Sequence, residues 1–331
     1  MIKALATFLS MAGVPAVLRH LRGPQSLTIL SLHRVSAEED YFWQPLHPDR
    51  FEALCLYVKR HYEVVNLRDL NLLAAPQRPQ LVLSFDDGYQ DFMEFALPVL
   101  VRHNLPANHN LVVACLNGDY TIWTQRLNAA FNQARQQQVH LQLTIGEARY
   151  DLQRYNNQWM PFYLAVFKAL LQRPRLMREE VLTELETLVG RPPAPRMMTW
   201  ADARSLANHN IEVGSHTYYH DVVSTIHDPA QLHQELVDSR RVLAERLQQP
   251  IDVLGLPNGQ NSPHLQASIR EAGYTCVLEV GDRGNALPLA SATAPPCLHR
   301  INIVDELPSL AQLRLEVLAM KKNLPQSLSH K

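Results

Sequence analysis

The sequence predicts an α/β fold in which parallel strands are connected by crossover helices. Short apolar runs alternate with segments of helical periodicity along the 331 residues, a pattern typical of βα units. The segments 81–85 and 211–214 are predicted strands that end directly at carboxylate or imidazole side chains. Parallel sheets bury such strands on both faces and collect polar side chains at their carboxyl ends. Periodicity alone leaves open whether the sheet closes into a barrel or stays open and doubly wound.

The elements before residue 119 follow from apolar runs and from helical spacing. A strand is predicted where a short apolar run is bounded by polar residues, and a helix where apolar residues recur every three or four positions. The helix that carries Pro98 is expected to kink near that residue. In order, the predicted elements are strand 27–32, helix 48–61, extended segment 64–65, helical turns 67–73, strand 81–85, helix 89–103 and strand 110–114.

The same alternation resumes after residue 195. Leucine and valine recur at helical spacing in a long segment that follows Asp228, Pro263 suits the first turn of a later helix, and Gly273 ends that helix. The predicted elements are strand 211–214, helix 229–248, strand 251–256, helix 263–272, strand 275–278, strand 298–303 and helix 307–322, with a frayed tail over 321–331.

Residues 119–195 interrupt the alternation and predict a mainly helical insertion. The proline-rich segment 192–195 closes it and indicates a stiff connection. Because the insertion lies between two strands that end in polar groups, we expect it beside the cleft. Its aromatic residues either form a lid or a binding platform at the cleft or fill the core of a small helical cap, and core packing is the commoner role. They are Trp123, Trp159, Phe162 and Tyr163.

Composition limits the partners. The 31 basic and 32 acidic residues give a formal charge of -1, which offers no general attraction for nucleic acid or for an anionic membrane. The four cysteines are far apart and show no spacing typical of a metal site or a disulfide framework. This favours a reducing compartment and a cytoplasmic location.

The N-terminal segment predicts an amphipathic helix rather than a signal peptide. Gly13 and Pro15 interrupt its apolar run, and basic residues follow. Such a helix either packs on the domain or lies on a membrane surface. No run approaches the roughly 20 apolar residues of a membrane-spanning helix.

Two strand ends supply candidate metal ligands. Asp86 and Asp87 directly follow one apolar strand, and buried ionised carboxylates require cationic partners. His216 and His220 follow another strand. Each pair alone also fits a turn or a buried structural pair. Together, one carboxylate and two imidazoles form a three-ligand set for a divalent metal ion with coordination positions left open.

A series of five motifs carries a family resemblance. The motifs are Leu-Ser-Leu-His-Arg-Val at 30–35, Ser-Phe-Asp-Asp-Gly at 84–88, Met-Thr-Trp at 198–200, Ser-His-Thr-Tyr-Tyr-His at 215–220 and Leu-Pro-Asn-Gly at 256–259. In this order they resemble the polysaccharide deacetylases of carbohydrate esterase family four, especially the exopolysaccharide-type members, over residues 27–118 and 196–305. A spaced series is far more specific than one motif. The resemblance implies a distorted or incomplete (β/α) barrel of about seven strands with a mainly helical insertion.

The resemblance also assigns roles to the four residues of the predicted site. Asp86 would be the general base, and Asp87, His216 and His220 would bind one divalent metal ion. Zinc is the first choice, and nickel, cobalt or iron would fit the same ligands. A metal in this position polarises the acetyl carbonyl and lowers the pKa of its bound water, whose proton Asp86 accepts.

The sequence does not decide which residue is the general acid or which residue pairs with Asp86. The resemblance implies a histidine in the last motif as the acid, for which His299 is the candidate, although a half-buried histidine at a strand end also has structural uses. His33, at another strand end, is the competing acid, again with a structural alternative. Many family members carry an arginine shortly before the proline of the third motif, but none precedes Pro257 here. We expect Arg300 to supply that charge to Asp86.

The predicted function is hydrolysis of N-acetyl groups on an amino sugar within a polysaccharide, an oligosaccharide or a precursor. The alternatives are hydrolysis of another amide, an imide or an O-acetyl ester on the same scaffold, and a non-catalytic glycan-binding protein. The expected organisation is an N-terminal extension at 1–26, a catalytic domain at 27–305 with an insertion at about 119–195, and a C-terminal helix and tail at 306–331. A carbohydrate substrate is expected, with no nucleic acid and with peripheral membrane contact only through the first helix.

Overall fold

Seven parallel strands form a closed barrel in the computed structural model, which describes residues 7–10, 12–70, 76–118, 120–193, 195–287 and 295–321. The barrel strands are β1 (Ser26–Leu32), β3 (Gln80–Phe85), β4 (Ala107–Leu111), β7 (Ile211–Ser215), β8 (Val253–Gly255), β9 (Cys276–Val280) and β11 (Cys297–Asn302). Around the barrel their order is β1, β11, β9, β8, β7, β4 and β3, and β3 pairs again with β1 from Leu27–Gln80 to Leu32–Phe85. The predicted barrel of about seven strands is confirmed, and it is closed.

Two short strands extend the sheet beyond the barrel. β2 (Glu63–Val64) pairs with β3 in parallel, and β10 (Asn285–Ala286) pairs with β1 in the antiparallel sense. The helices are α1 (Val14–Arg22), α2 (Pro48–His61), α3 (Leu97–His103), α4 (Val113–Leu116), α5 (Trp123–Gln136), α6 (Trp159–Leu171), α7 (Arg175–Val189), α8 (Trp200–Ser205), α9 (Pro229–His233), α10 (Ser239–Leu247), α11 (Leu265–Ala272) and α12 (Pro308–Ala319).

Two of the predicted helices contain a π turn. The helix predicted at 89–103 contains a π turn at Phe92–Ala96 directly before α3, so Pro98 lies in the first turn of the next α-helical segment. A second π turn, Gln234–Asp238, joins α9 to α10. A wider turn changes the hydrogen-bond pattern of the helix and accommodates a residue that cannot donate.

Three predicted boundaries differ from the structure. The strand predicted at 110–114 occupies Ala107–Leu111, because polar side chains face the barrel interior there and the apolar residues that follow belong to α4. The helical turns predicted at 67–73 are a single 3₁₀ turn at Leu67–Asp69, and 71–75 lie outside the described residues. The tail predicted over 321–331 lies outside them as well, apart from Lys321.

The insertion has a hydrophobic cluster of its own. Helices α5, α6 and α7 pack around Phe131, Phe162 and Leu182, which are fully buried. The insertion also contains an antiparallel hairpin, β5 (Gln142–Ile145) and β6 (Ala148–Asp151), which the sequence analysis missed. The alternation of buried and exposed residues along β5 is the pattern that could have revealed it.

The first described helix packs on the domain against the last one. Glu316 of α12 is fully buried. Its Oε1 accepts hydrogen bonds from Arg19 Nη1 at 2.7 Å and from the Tyr57 hydroxyl at 2.8 Å, and Arg22 lies 3.2 Å from its Oε2. This ion pair joins residues almost 300 positions apart in sequence. No helix in the described ranges is both long enough and apolar enough to cross a membrane.

The buried carboxylate of Glu316 predicts a large stability effect. In Glu316→Gln, two guanidinium groups lose their counter-charge inside the protein, so we expect the free energy of unfolding to fall by about 3 kcal/mol. Urea denaturation followed by circular dichroism measures this. The control is Glu245→Gln, which breaks an exposed pair with Arg241 and should change the free energy of unfolding far less, because solvent screens that pair. Equal, small losses in both variants would contradict the prediction.

Candidate active site

The carboxyl ends of β3 and β7 bring three ligand-type side chains together. Asp87 Oδ1 lies 3.4 Å from His216 Nε2 and 3.4 Å from His220 Nε2. All three side chains are buried, and one ligand atom from each lies within 4.8 Å of the others. β4 lies between these two strands, but all parallel strands of a barrel end at the same rim, which is why residues 129 positions apart in sequence meet.

The two loops hold these side chains with unusual backbone conformations. Asp87 has φ 78°, Thr217 φ 68° and His220 φ 60°, a region that residues with a Cβ rarely occupy. Side-chain hydroxyls support the second loop: Ser215 Oγ accepts from Thr217 N at 3.2 Å, and Thr217 Oγ1 accepts from His220 N at 3.1 Å. Such strain persists where the surroundings fix it, and it is concentrated here on the two ligand-bearing loops.

The unsatisfied atoms of this trio fit a cation. His216 Nδ1 donates to Gly255 O at 2.8 Å, so its Nε2 carries no proton and is free to bind a metal. Among the described residues, Asp87 Oδ1, the atom that faces both imidazoles, has no hydrogen-bond partner. Burial and the nearby Asp86 charge raise the pKa of Asp87 well above its usual value. A bound cation would remove this penalty, because it compensates the buried carboxylate charge.

Asp86 is held as an ionised carboxylate by Arg300. Arg300 Nη1 donates to Asp86 Oδ1 at 2.8 Å and to Oδ2 at 2.7 Å, and Asn110 Nδ2 donates to Oδ1 at 2.7 Å. Burial alone would raise the pKa of Asp86, but the charge of Arg300 opposes it, and together with smaller contributions that include the Asn110 hydrogen bond it outweighs burial. The pKa of Asp86 is therefore held below its usual range. The structure brings Arg300 to the place where the sequence analysis expected it.

His33 also lies close to Asp86. Its Nε2 is 3.9 Å from Asp86 Oδ2, and its ring packs edge-on against Trp43 with 5.4 Å between centroids. The pKa of His33 is lowered to about 4, mainly by burial, with the charge of Asp86 opposing this shift and that of Arg300 adding to it. The imidazole is therefore neutral near pH 7 in the free protein.

The structure does not bring His299 together with the other candidate site residues. Successive residues of a strand point to opposite faces, and Arg300 occupies the inward position on β11. His299 Nδ1 instead contacts Glu279 Oε1 at 2.8 Å. The cavity lined by Arg300 and His33 does not include His299. The ion pair with Glu279 supports the structural alternative for this histidine.

Asn110 is a site residue that the sequence analysis did not identify. It lies on β4, where Asn108 and Asn110 are both fully buried inside the barrel. Gly214 and Gly255 make room for it: a Cβ at Gly214 would lie 2.2 Å from Asn110 Oδ1, and one at Gly255 would lie 2.9 Å from its Nδ2. Alternating asparagines in a short strand were the available signal, since buried amides are placed to form hydrogen bonds.

An ion-pair network links the insertion to the histidine loop. Arg178 and Arg175, both on α7, contact Asp221, the residue after His220, and Arg175 also lies 3.0 Å from Glu235 Oε1. Glu235 Oε2 accepts from the backbone N–H groups of residues 218 and 219, each at 3.0 Å. The loop that carries both imidazoles is thus fastened from two sides. We call these four side chains, Arg175, Arg178, Asp221 and Glu235, the anchor network.

The insertion also forms one wall of the cavity above the site. The cavity has a volume of about 280 Å³, and the barrel contributes Asp86, Asp87, His216 and Arg300 to its lining. The insertion contributes six residues: Thr124, Gln125, Asn128, Tyr163, Leu164 and Phe167.

The aromatic residues of the insertion divide between the two expected roles. Trp123 and Phe162 are buried in the core of the insertion, and Trp159 packs against that core. Tyr163 belongs to the same core but also faces the cavity, together with Phe167, which the sequence analysis did not name. Most of the four therefore fill a core, and one reaches the site.

Comparison with known proteins supports the family assignment. The family model described as polysaccharide deacetylase matches residues 179–277. None of the curated proteins matches the sequence. The deacetylase PplD of Streptococcus pyogenes, solved in complex with acetate, is 15% identical with a TM-score of 0.58, over 90% of this chain and 99% of that one.

Two further solved structures share the fold. The putative polysaccharide deacetylase BA0330 of Bacillus anthracis is 12% identical with a TM-score of 0.57, over 90% of this chain and 69% of that one. IcaB of Ammonifex degensii is 14% identical with a TM-score of 0.56, over 89% and 98%. These findings agree with the predicted enzyme class, a hydrolase of carbon–nitrogen bonds. The predicted resemblance to the polysaccharide deacetylases is thereby confirmed over residues 179–277, and the fold is shared with solved deacetylase structures along most of the chain.

Proposed function

We propose that this protein is a metal-dependent deacetylase that hydrolyses N-acetyl groups of an amino sugar in a glycan or its precursor. One observation carries the proposal: Asp86, kept ionised by Arg300, lies beside the buried trio Asp87, His216 and His220 at the barrel mouth. A base next to a three-ligand metal site is the arrangement that metal-assisted hydrolysis requires.

Asp87, His216 and His220 would hold the metal ion. When bound, it supplies electrostatic polarisation of the acetyl carbonyl and of the attacking water. Zinc suits one carboxylate and two imidazoles, while nickel, cobalt and iron fit the same set. The carbonyl of Gly255 orients His216 through its Nδ1–H, a contact that fixes the tautomer needed for binding through Nε2.

Asp86 and His33 would move the proton. Asp86 accepts a proton from the water that attacks the acetyl carbon, and Arg300 and Asn110 keep its oxygens in place. Since His33 is neutral and lies 3.9 Å from Asp86, it relays that proton to the amine nitrogen as the carbon–nitrogen bond breaks. The products are acetate and a free amino sugar, and both side chains return to their starting protonation states.

The alternative of a non-catalytic glycan-binding protein loses its main support. The absence of an arginine before Pro257 was the one sequence feature in its favour, and Arg300 contacts Asp86 instead. Two carboxylates buried side by side are costly, and a binding module has no need of an ionised base there.

We also propose a cytoplasmic location and the domain organisation expected from the sequence, with boundaries near residues 26 and 305. Free thiols at Cys55, Cys115, Cys276 and Cys297 support a reducing compartment. The contact between α1 and α12 supports a first helix that packs on the domain.

Acetate release tests the proposed function. We expect the zinc-loaded protein to release acetate from N-acetylglucosamine or its oligomers, a chelator to abolish this, and added zinc to restore it. Asp86→Asn should lower kcat by at least about 10³ while zinc content stays equal to wild type, because it removes the base and leaves the three ligands. Zinc is measured by plasma mass spectrometry. Binding of these sugars by the zinc-loaded wild type without any acetate release would favour the binding-protein alternative.

Arg300 predicts a change in pH dependence. In Arg300→Ala, burial acts on Asp86 without the opposing guanidinium, so the pKa of Asp86 rises. Because the base must be ionised, the acid limb of the kcat/KM profile should move to higher pH, and kcat at pH 7 should fall by about 10². Arg300→Lys, which keeps a charge, should lie between the two. A normal rate and an unmoved acid limb for Arg300→Ala would remove Arg300 from the site.

The anchor network predicts an effect on metal affinity. Arg178→Met leaves Asp221 with only Arg175 and loosens the loop that carries His220, so zinc affinity should fall by about tenfold. Competition with a chromophoric chelator measures it. The matched control is Arg126→Met, because Arg126 pairs with Glu179 and Glu186 inside the insertion and contacts none of the anchor network. Equal affinities for the two variants would contradict the role of the network.

A further inference from the structure

Two buried amide side chains of the insertion line the cavity, and each has a hydrogen-bonding atom without a partner. Gln125 and Asn128 are 2% and 3% exposed, and both line the cavity. Among the described residues, Gln125 Nε2 and Asn128 Oδ1 have no hydrogen-bond partner. Asn128 Nδ2 donates to Asp40 Oδ2 at 2.5 Å, which fixes the amide so that its oxygen is the free acceptor. Buried polar atoms are nearly always paired, so these two indicate a ligand that pairs them.

The free atoms complement a hydroxyl-bearing ligand. One is a donor and the other an acceptor, and a hydroxyl group can satisfy either kind. A third amide atom, Asn258 Nδ2, is also buried and unpartnered on the barrel side of the same cavity. Several neutral amides around one cavity suit a ligand with several hydroxyls and no charge.

The other residues that line the cavity also fit a sugar as the ligand. Tyr163 and Phe167 of the insertion and Trp43 of the barrel loops line the same cavity, and aromatic rings suit the apolar faces of a pyranose. None of the six insertion residues in the lining is charged. The charged groups of the cavity belong to the site already described, so nothing in its wall selects for an anionic sugar.

The size of the cavity limits how much of a glycan can enter. Its volume of about 280 Å³ lies at the lower end of ligand pockets, which span roughly 300–1,000 Å³. Because α5 and α6 both contribute to the wall, the insertion bounds one side of this space. The space suits one or two sugar units, so the other units of a longer glycan would have to lie outside it.

We propose that Gln125 and Asn128 form a sugar-binding subsite that recognises hydroxyl groups of a neutral N-acetylated sugar and restricts the substrate to short glycans or chain ends. This inference rests on the proposed function for its chemistry. The subsite itself is a binding property of the insertion, so it is tested separately from turnover.

Three variants test the subsite in the zinc-loaded protein. Gln125→Met and Asn128→Leu remove the free polar atoms at nearly constant volume. Asn132→Leu is the matched control: Asn132 lies one turn further along α5 and donates to the same Asp40 at 3.0 Å, but it does not line the cavity. Melting temperatures establish that all three fold. Binding of N-acetylglucosamine is measured by saturation-transfer NMR, and acetate release gives kcat and KM.

The expected result is a loss of sugar recognition without a loss of chemistry. Gln125→Met and Asn128→Leu should each weaken binding of N-acetylglucosamine and raise its KM by tenfold or more, while Asn132→Leu matches wild type. For N-cyclohexylacetamide, which has the acetamido group on a ring without hydroxyls, all four proteins should show the same kcat/KM. With the β-1,4-linked pentamer, wild type should deacetylate terminal units and leave internal ones.

Other outcomes separate the two proposals. Unchanged sugar binding in both subsite variants, or no binding of N-acetylglucosamine to wild type, overturns the subsite. Rapid deacetylation of internal pentamer units overturns the size restriction. If wild type binds the sugar in a manner that depends on Gln125 and Asn128 but releases no acetate from any probe, the subsite stands and the proposed function fails.

Discussion

The contact between Arg300 and Asp86 is the interaction on which the rest of the site depends. Two adjacent carboxylates, Asp86 and Asp87, are buried at the end of β3, and both cannot stay charged without compensation. The guanidinium on β11 hydrogen-bonds to Asp86, and its charge does not offset the burial of Asp87, whose pKa stays strongly raised. This unequal treatment of two neighbouring aspartates is what would separate the proposed base from the proposed metal ligand.

Because the barrel is closed, Arg300 on β11 can reach Asp86 at the end of β3. β11 and β3 are not neighbours, but both pair with β1, so their inward side chains reach the same interior. The polar lining of this interior includes Asn108, Asn110 and Ser84, which hydrogen-bond across strands. A barrel whose interior held only apolar side chains could not keep an ionised Asp86 beneath the metal trio.

The sequence predicted those site residues that can be recognised from their immediate neighbours along the chain. Asp86, Asp87, His216 and His220 were identifiable because each pair directly follows an apolar strand, and strand ends share one edge. The structure confirms the seven-strand barrel predicted from the family resemblance. It also brings the four side chains together, while their roles stay predictions.

Other site residues could not be recognised in this way, because their roles depend on strand orientation and on contacts between segments far apart in sequence. The last strand offered His299 and Arg300 as neighbours, and only the orientation of β11 in the barrel decides which one points inward. Asn110 was missed because its role comes from Gly214 and Gly255 on two other strands, which leave it space. The anchor network could not be predicted for the same reason. Helix α7 and the histidine loop are far apart in sequence, and only the fold brings them into contact.

The insertion couples the shape of the cavity to the geometry of the loop that carries His216 and His220. Its helices α5 and α6 form a cavity wall, while α7 is fixed to Asp221, next to His220. A movement of the insertion that widened the cavity would have to separate Arg178 from Asp221, two side chains almost entirely removed from water. Breaking a buried ion pair is expensive because it leaves uncompensated charge. The wall is therefore held at a fixed distance from the barrel, and a wider substrate cannot be admitted without disturbing the loop that holds both imidazoles.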